Sequence, residues 1–363
     1  MLPAIRQNVP LAPLTTFELG GPARFFCRAT SVEDAVAALA WAQDQLLPLF
    51  VLGGGSNLVV SDQGFPGLVL QLGTRGIEFE PKDGLLCAQA GEPWDEVVAA
   101  AVSRNWSGIE CLSGIPGTAG ATPVQNVGAY GQEVADTIRS VRVLDRHTLR
   151  VSEWTATECG FGYRTSAFKR EPETAMVLSV AFALRPGGRP TIAHKELASV
   201  MPPSPSLAVV RETVLEVRRR KSMVYDACDP NRRSAGSFFT NPVVSRDKAD
   251  EIVEQAIREG LVRAPEEVPY YPQANGVVKL AAGWLIERAG IRRGMRMGPV
   301  GVSDKHALAI VHHGGGTTAD LLRLAVHMRD RVAERFSITL VPEPVFLGVT
   351  WPGPGLPIVP GQC

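Results

Sequence analysis

The chain lacks an excess of charge of either sign: in its 363 residues Lys plus Arg number 37 and Asp plus Glu number 37. With no basic surplus there is no electrostatic basis for holding a nucleic acid or an anionic membrane. Long apolar runs are lacking too. The longest, Ala175 to Leu184, contains Ser179 and is far too short to span a bilayer. The opening residues, Met1 to Pro10, carry no apolar h-region, so no secretion is expected and the cytoplasm is the expected compartment. Cysteine is scarce: Cys27, Cys87, Cys111, Cys159, Cys228 and Cys363 include no C-x-x-C pair and none stands near a His at metal-ligand spacing. Small buried thiols are expected of them. The adjacent His312-His313 side chains diverge and have no acidic or thiol companions, so they are expected in a loop, and no metal site is expected. The composition, 45% apolar and 20% charged, is that of an ordinary globular chain long enough for two or three domains.

What is present is glycine, concentrated in two places: Gly53-Gly54-Gly55-Ser56-Asn57 and the segment Gly114 to Ala121 that contains Gly117 and Gly120. Glycine lets successive backbone N–H groups turn toward one point and approach it closely, which makes a cradle for phosphate oxygens. Two cradles in one domain fit an extended ligand with a diphosphate in its middle. The Rossmann spacing G-x-G-x-x-G opening a helix is not met, because Leu58-Val59-Val60 follows the first cradle and reads as a strand. The expected ligand is therefore FAD, held by loops between strands in a non-Rossmann fold.

Around the cradles the pattern alternates. Thr30-Ser31-Val32-Glu33 reads as a capping box, with Thr30 the N-cap, opening a helix over about 31–45. Phe25 to Cys27 and Leu47 to Leu52 flank it as strands, forming a small β-α-β unit. Strands are expected at 68–72 and 85–90, and a helix from Pro93 to Asn105 should bury Trp94, Val97, Val98 and Ala101. Strands dominate 138–185, and proline-rich stretches bracket a loop-rich excursion near 186–206. Helices are expected over Leu207–Lys221, Lys248–Gly260, Val278–Ala289 and from a Thr317 cap through Phe336. A strand is expected over Ile338–Val349. The domain reading is an FAD-binding part over 1–75 and 76–225, a substrate domain over 226–350 and a tail over 351–363.

Chemistry-bearing residues lie mostly outside the cradles. Arg164 follows Tyr163 after a turn, Ser237 stands between Gly236 and Phe238-Phe239, and Glu343 is a single carboxylate in an apolar C-terminal stretch. Each has a plain structural reading: a surface arginine, a turn or cap serine, a solvated strand end. Arg218 to Lys221 would ordinarily be a solvated helix terminus favoured by the dipole.

Taken together, these features resemble the UDP-N-acetylenolpyruvoylglucosamine reductase family, in order along nearly the whole chain. The resemblance rests on Thr15 to Ala23, Leu52 to Asn57, Gly114 to Gly131 with Pro123 to Tyr130, Gly162-Tyr163-Arg164, Arg218 with Lys221, Gly236 to Phe239, Lys279 to Ile286, and Glu343. It implies an α+β chain with a two-part FAD-binding fold of the vanillyl-alcohol-oxidase type and a C-terminal α+β substrate domain. A flavin oxidase of that fold would share the first cradle but usually carries a His or Cys for covalent flavin attachment, for which Cys111 is the only candidate. A catalytically dead nucleotide-binding module would have lost Arg164, Ser237 or Glu343.

The resemblance also implies roles. NADPH reduces FAD. The enolpyruvyl sugar nucleotide then binds where nicotinamide had been, and a hydride reaches its terminal carbon, giving UDP-N-acetylmuramate for cell-wall peptidoglycan. Arg164 would stabilise the charge that spreads into the carboxylate, Ser237 would protonate the enol, and Glu343 would act near the same carboxylate. Gly53, Gly54, Gly55, Ser56, Asn57, Gly117, Gly120, Ala121, Asn126 and Gly128 would hold FAD. Tyr130, Tyr163, Arg218, Lys221, Asn241 and Lys279 would hold the substrate. Pro190 to Leu197 resembles the insertion of the family's longer class, which closes over substrate. Where that class often has a tyrosine to stack on uracil, this chain has His194, and Pro344 follows Glu343 where valine is usual. A monomer is expected, with the small-molecule substrate as its partner.

Overall fold

The computed structural model describes residues 3–273 and 276–353. The first layer is a four-stranded sheet in the order Arg6–Pro10, Pro22–Ala29, Phe65–Leu72, Leu49–Leu52, its first pair antiparallel and the others parallel. The expected β-α-β unit is present, but Phe65–Leu72 lies between its two strands. The helix Val32–Asp44 lays Ala35, Ala38, Leu39 and Ala42 on this sheet, against Leu49, Leu68 and Leu70. Its cap sits one residue later than expected. Ser31 accepts from the Asp34 N–H, while Asp34 takes the Thr30 N–H and hydroxyl, so the cap is Ser31 with Asp34 reaching back to Thr30, in place of a Thr30–Glu33 box.

The second layer is a five-stranded antiparallel sheet in the order Val151–Thr155, Ile138–Asp145, Ala175–Ala183, Leu85–Gln89, Ile77–Glu80. The helix Trp94–Ser103 buries Trp94, Val97, Val98 and Ala101 against it, as the spacing predicts. Leu144, Met176 and Leu178 of this sheet pack into the core of the first, which fuses the two halves. The excursion after Pro186 holds a short helix, Lys195–Ala198. Its root is fixed by the fully buried Glu110, which accepts from the Thr191 and Gly108 N–H groups and from Gln132.

The C-terminal part has two three-stranded sheets and the helices Arg246–Arg258, Ala282–Arg288 and Thr318–Phe336. The expected helix over Val278–Ala289 opens in strand. Val277–Leu280 pairs on both sides, with Val243–Ser245 and Tyr270–Pro272, as β-branched residues favour, and helix begins only at Ala282. The expected strand Ile338–Val349 is regular only over Val345–Leu347, because Pro342 and Pro344 have no N–H to give to a ladder. That short strand runs parallel to Leu58–Val60, so the strand after the first glycine loop is completed by the far end of the chain. Asp62 caps the long helix by accepting from the Thr318 and Ala319 N–H groups at 2.7 and 3.0 Å. Phe17, Leu19 and Val59 belong to the C-terminal core. Trp351, expected in the tail, is buried there beside Phe238 and Phe346. The rest of the tail from 354 lies outside the described residues.

Two expectations for single residues change. Cys27, Cys111 and Cys159 are buried, but Cys87 is half-buried and Cys228 exposed; Cys363 lies outside the described residues. His312 is not in a loop. It ends the strand Ile310–His312, buried, with Nδ1 2.9 Å from the Phe17 carbonyl and Nε2 accepting from the Gly316 N–H.

Candidate active site

The two glycine segments meet. A Cβ on Gly54 would stand 2.8 Å from the Gly117 Cα, and one on Gly55, whose φ is +63°, would stand 1.9 Å from the Leu14 carbonyl oxygen. Only glycine lets these loops come this close and still turn. Ser56 donates from its hydroxyl to the Pro116 carbonyl, tying the segments directly. Between them and the C-terminal part lies a cavity of about 370 Å³. Gly53 to Asn57 line it, as do Gly117, Gly120, Ala121 and Gly128.

Asn126 does not join them in the cavity wall. It is buried with φ +46°, donates to Glu133 and the Gly162 carbonyl, and accepts from the Ala135 N–H. It braces the turn that carries Arg164. A short polar side chain tolerates that left-handed backbone.

Arg164, Ser237 and Glu343 all face the cavity. Arg164 lies within a tight turn in which Gly162 and Thr165 exchange backbone bonds, and it has φ +54°. Its guanidinium donates to the Asn126 carbonyl at 3.2 Å and the Gly128 carbonyl at 2.6 Å, leaving Nε 3.5 Å from a Glu343 carboxylate oxygen. The two side chains are 22% and 15% exposed, which places the pair largely away from water. Burial pushes the Glu343 carboxyl above its ordinary range, against the pull of Arg164 and then Lys169.

Ser237 and Glu343 are laced to each other by backbone. Ser237 pairs with Ala309, Phe238 donates to Leu308 and accepts from the Glu343 N–H at 2.8 Å, and Phe239 pairs with Pro342. Gly236, at φ +72°, makes the turn that presents Ser237. Pro344 does not spoil this placement: the Glu343 N–H is used, its carbonyl takes the Asn57 side chain at 3.4 Å, and strand begins at Val345.

The expected substrate residues fall into two groups. Arg218 lines the glycine-loop cavity itself, donates to the Gly114 and Met223 carbonyls, and keeps a buried Nε without a hydrogen-bond partner. Beside it lies Tyr130, edge-on to His194 at 5.3 Å between ring centroids. Lys221 is ion-paired to Glu196 of the insertion at 2.6 Å. On the other side, Lys279 sits 5.0 Å over the Tyr163 ring, and Asn241 accepts from the Ala282 N–H at the start of a helix. Tyr163 and Asn241 line a second cleft of about 550 Å³ that also reaches Arg164. Lys169, which no sequence signal singled out, lines both. Its position five residues after Arg164, across a one-turn helix, is the only clue the sequence held.

Residues 23–148 match the FAD binding domain, and residues 229–347 match the C-terminal domain of UDP-N-acetylenolpyruvoylglucosamine reductase. The UDP-N-acetylenolpyruvoylglucosamine reductase of Thermobifida fusca is 48% identical over 360 residues, covering 96% of this chain and all of that protein. The chain belongs to the UDP-N-acetylenolpyruvoylglucosamine reductase family. A Mycobacterium avium member of this reductase family is 46% identical, covering 95% of this chain and 96% of its own length. The crystal structure of the Thermus caldophilus reductase superposes with a TM-score of 0.65 at 26% identity, covering 95% of this chain and all of that one. The chain is accordingly an FAD-dependent oxidoreductase with an α+β fold.

The cavity fits that cofactor. Two loops that a single Cβ would block, and the buried, unpartnered Nε of Arg218, are what a diphosphate-centred dinucleotide needs. Among the described residues no group of three or more His, Cys, Asp or Glu is placed to hold a metal ion, and no helix is long and apolar enough to cross a membrane.

Proposed function

We propose that this chain reduces the enolpyruvyl group of UDP-N-acetylglucosamine enolpyruvate to give UDP-N-acetylmuramate for peptidoglycan synthesis, with NADPH as the hydride donor. The observation that carries the reading is the convergence of Arg164, Ser237 and Glu343, from three distant stretches of chain, on the cavity bounded by the glycine loops. Bound FAD supplies hydride transfer, from the nicotinamide to the enolpyruvyl carbon.

The protein's own groups account for the rest. Adding hydride to the terminal carbon leaves charge on the carbon beside the carboxylate, and that charge must spread into the carboxylate. Arg164 is already fixed by two carbonyls, so it meets the new charge without reorganising, in a site where water is largely excluded. Ser237 is the proposed proton donor to the enol carbon. Its hydroxyl is a weak acid and suffices only because the enolate is a strong base held within reach, a contribution of ~10²–10⁴-fold. Glu343, facing Arg164 Nε, orients the guanidinium and polarises the carboxylate end of the pocket. Gly53 to Asn57, Gly117, Gly120, Ala121, Gly128 and Arg218 would hold the dinucleotide. Tyr130, Tyr163, Lys221, Asn241 and Lys279 would hold the sugar nucleotide, with the insertion closing over it. The reading includes a monomer working in the cytoplasm.

The test is anaerobic flavin absorbance. NADPH should bleach the flavin, and the enolpyruvyl sugar nucleotide alone should restore it. Bleaching with no recovery on that addition would overturn the substrate assignment.

A further inference from the structure

Lys169 is a charged side chain in the reaction wall to which the mechanism above gives no task. It sits in the one-turn helix Ala167–Arg170, whose cap, Ser166, accepts the Lys169 N–H and donates its own hydroxyl to the Val124 carbonyl at 2.5 Å. The ammonium donates to the Arg164 backbone carbonyl at 3.2 Å. No carboxylate lies within ion-pairing distance of it among the described residues. It faces the glycine-loop cavity and the second cleft at once.

Two physical consequences follow from that position. Arg164 adopts a left-handed backbone, φ +54°, which is strained for a non-glycine residue. The carbonyl turned out by that conformation is the one Lys169 takes. The charge balance of the wall also depends on it. With Glu343 ionised, Arg164 and Lys169 against it leave one positive charge, which a substrate carboxylate would neutralise. Without Lys169 the wall would be neutral before substrate arrives, and charge building beside the carboxylate would meet no surplus cation in a site that screens poorly.

We propose that Lys169 is a positioning residue for the reduction: its ammonium holds Arg164 in the left-handed turn and supplies the second positive charge facing Glu343 and the substrate carboxylate. This rests on the reading of the substrate given above. The titratable groups facing one another here are Arg164 from the turn, Lys169 from the one-turn helix, Glu343 from the C-terminal segment and the Tyr163 phenol, with Lys279 beyond its ring. Burial pushes Glu343 up and Lys169 down, and each charge restrains the other's shift. Removing the ammonium releases one of the two cations that hold Glu343 back. Whichever form of Glu343 the reaction needs, the limb it governs must move to higher pH.

The experiment follows reoxidation of NADPH-reduced enzyme by the enolpyruvyl sugar nucleotide, anaerobically and across pH, for the wild type, Lys169→Met and Lys169→Arg. Lys169→Met should slow reoxidation by ~10-fold or more, less than the ~10²–10³-fold lost with a donor that touches the reacting oxygen. Its Glu343 limb should move up in pH, and Lys169→Arg should restore the limb. A Met variant that is slower at every pH with an unmoved limb would reject the proposal, as would an Arg variant that leaves the limb displaced. If Lys169→Met retains no flavin, Lys169→Gln is read by the same criteria. Loss of flavin in both, with retention in Lys169→Arg, would make the role structural and reject the electrostatic one. Failure of the wild type to reoxidise would overturn the substrate reading instead, and so is distinguishable.

Discussion

The two walls of the active-site cavity are built on different principles. The glycine-loop wall is backbone: residues 53–57 and 114–121 approach until there is no room for a Cβ, and their shape is set by what they lack. The opposite wall is side chain. Arg164, Ser237, Glu343 and Lys169 arrive from separate elements, and each is held by carbonyls or short strand pairs that belong to another stretch of chain. A backbone wall suits a resident cofactor, because it offers many fixed N–H dipoles and no titrating charge. A side-chain wall suits a reaction in which charge appears and must be met.

The largest effect that would separate the walls is at Ser237. Ser237→Ala should leave flavin reduction by NADPH intact and slow reoxidation by substrate ~10²–10⁴-fold, as measured by stopped-flow absorbance. Equal slowing of both half-reactions would remove Ser237 from the proton-donor role. On the other wall, Gly55→Ala should act through binding and stability. The left-handed angle alone costs ~1–2 kcal/mol, and the contact with the Leu14 carbonyl adds to it. The variant should lose flavin on purification and melt at lower temperature, whereas Ser237→Ala should keep its flavin.

Outside both walls, His306 should make stability depend on pH. Burial, with the Lys221 and Arg293 cations, pushes His306 down from 6.5 to about 4. The unfolded chain binds a proton near the higher value that the folded chain refuses until the lower one. This part of the stability is therefore complete above pH 6.5 and is lost as pH falls toward 4. His306→Gln should flatten that portion of a melting-temperature profile, and an unchanged slope would remove His306 as its source.

The smallest effect is expected at the insertion. Glu196 and Lys221 are each substantially exposed, at 42% and 32%. Such pairs contribute ~0–1 kcal/mol, so Glu196→Gln should change the substrate KM by less than about 5-fold and leave flavin reduction by NADPH untouched. A larger loss would mean that the insertion is latched far more firmly than this pair allows.

The glycine wall was legible because its information is local. A left-handed φ favours glycine, and a Cβ that would meet backbone requires it, at that position whatever else the chain does. The buried helix faces were legible for a similar reason: Trp94, Val97, Val98 and Ala101 follow the helix period. The bracing role of Asn126 was not legible, because its partners Glu133, Gly162 and Ala135 become neighbours only on folding. Pro342 and Pro344 broke the expected C-terminal strand by removing donors, an effect that depends on which neighbour would have received them.

What the sequence determined by itself was the ordered set of motifs and, through them, the family, the flavin and the Arg164, Ser237 and Glu343 candidates. What tertiary structure decided was which charges face each other: Arg164 against Glu343, Lys169 on the Arg164 carbonyl, Arg218 in the glycine-loop cavity, and Lys221 on the insertion. The reason is physical. Local backbone preference is written residue by residue, but electrostatic partnership falls off with distance through space, and residues 164 and 343 become neighbours only after the chain has folded.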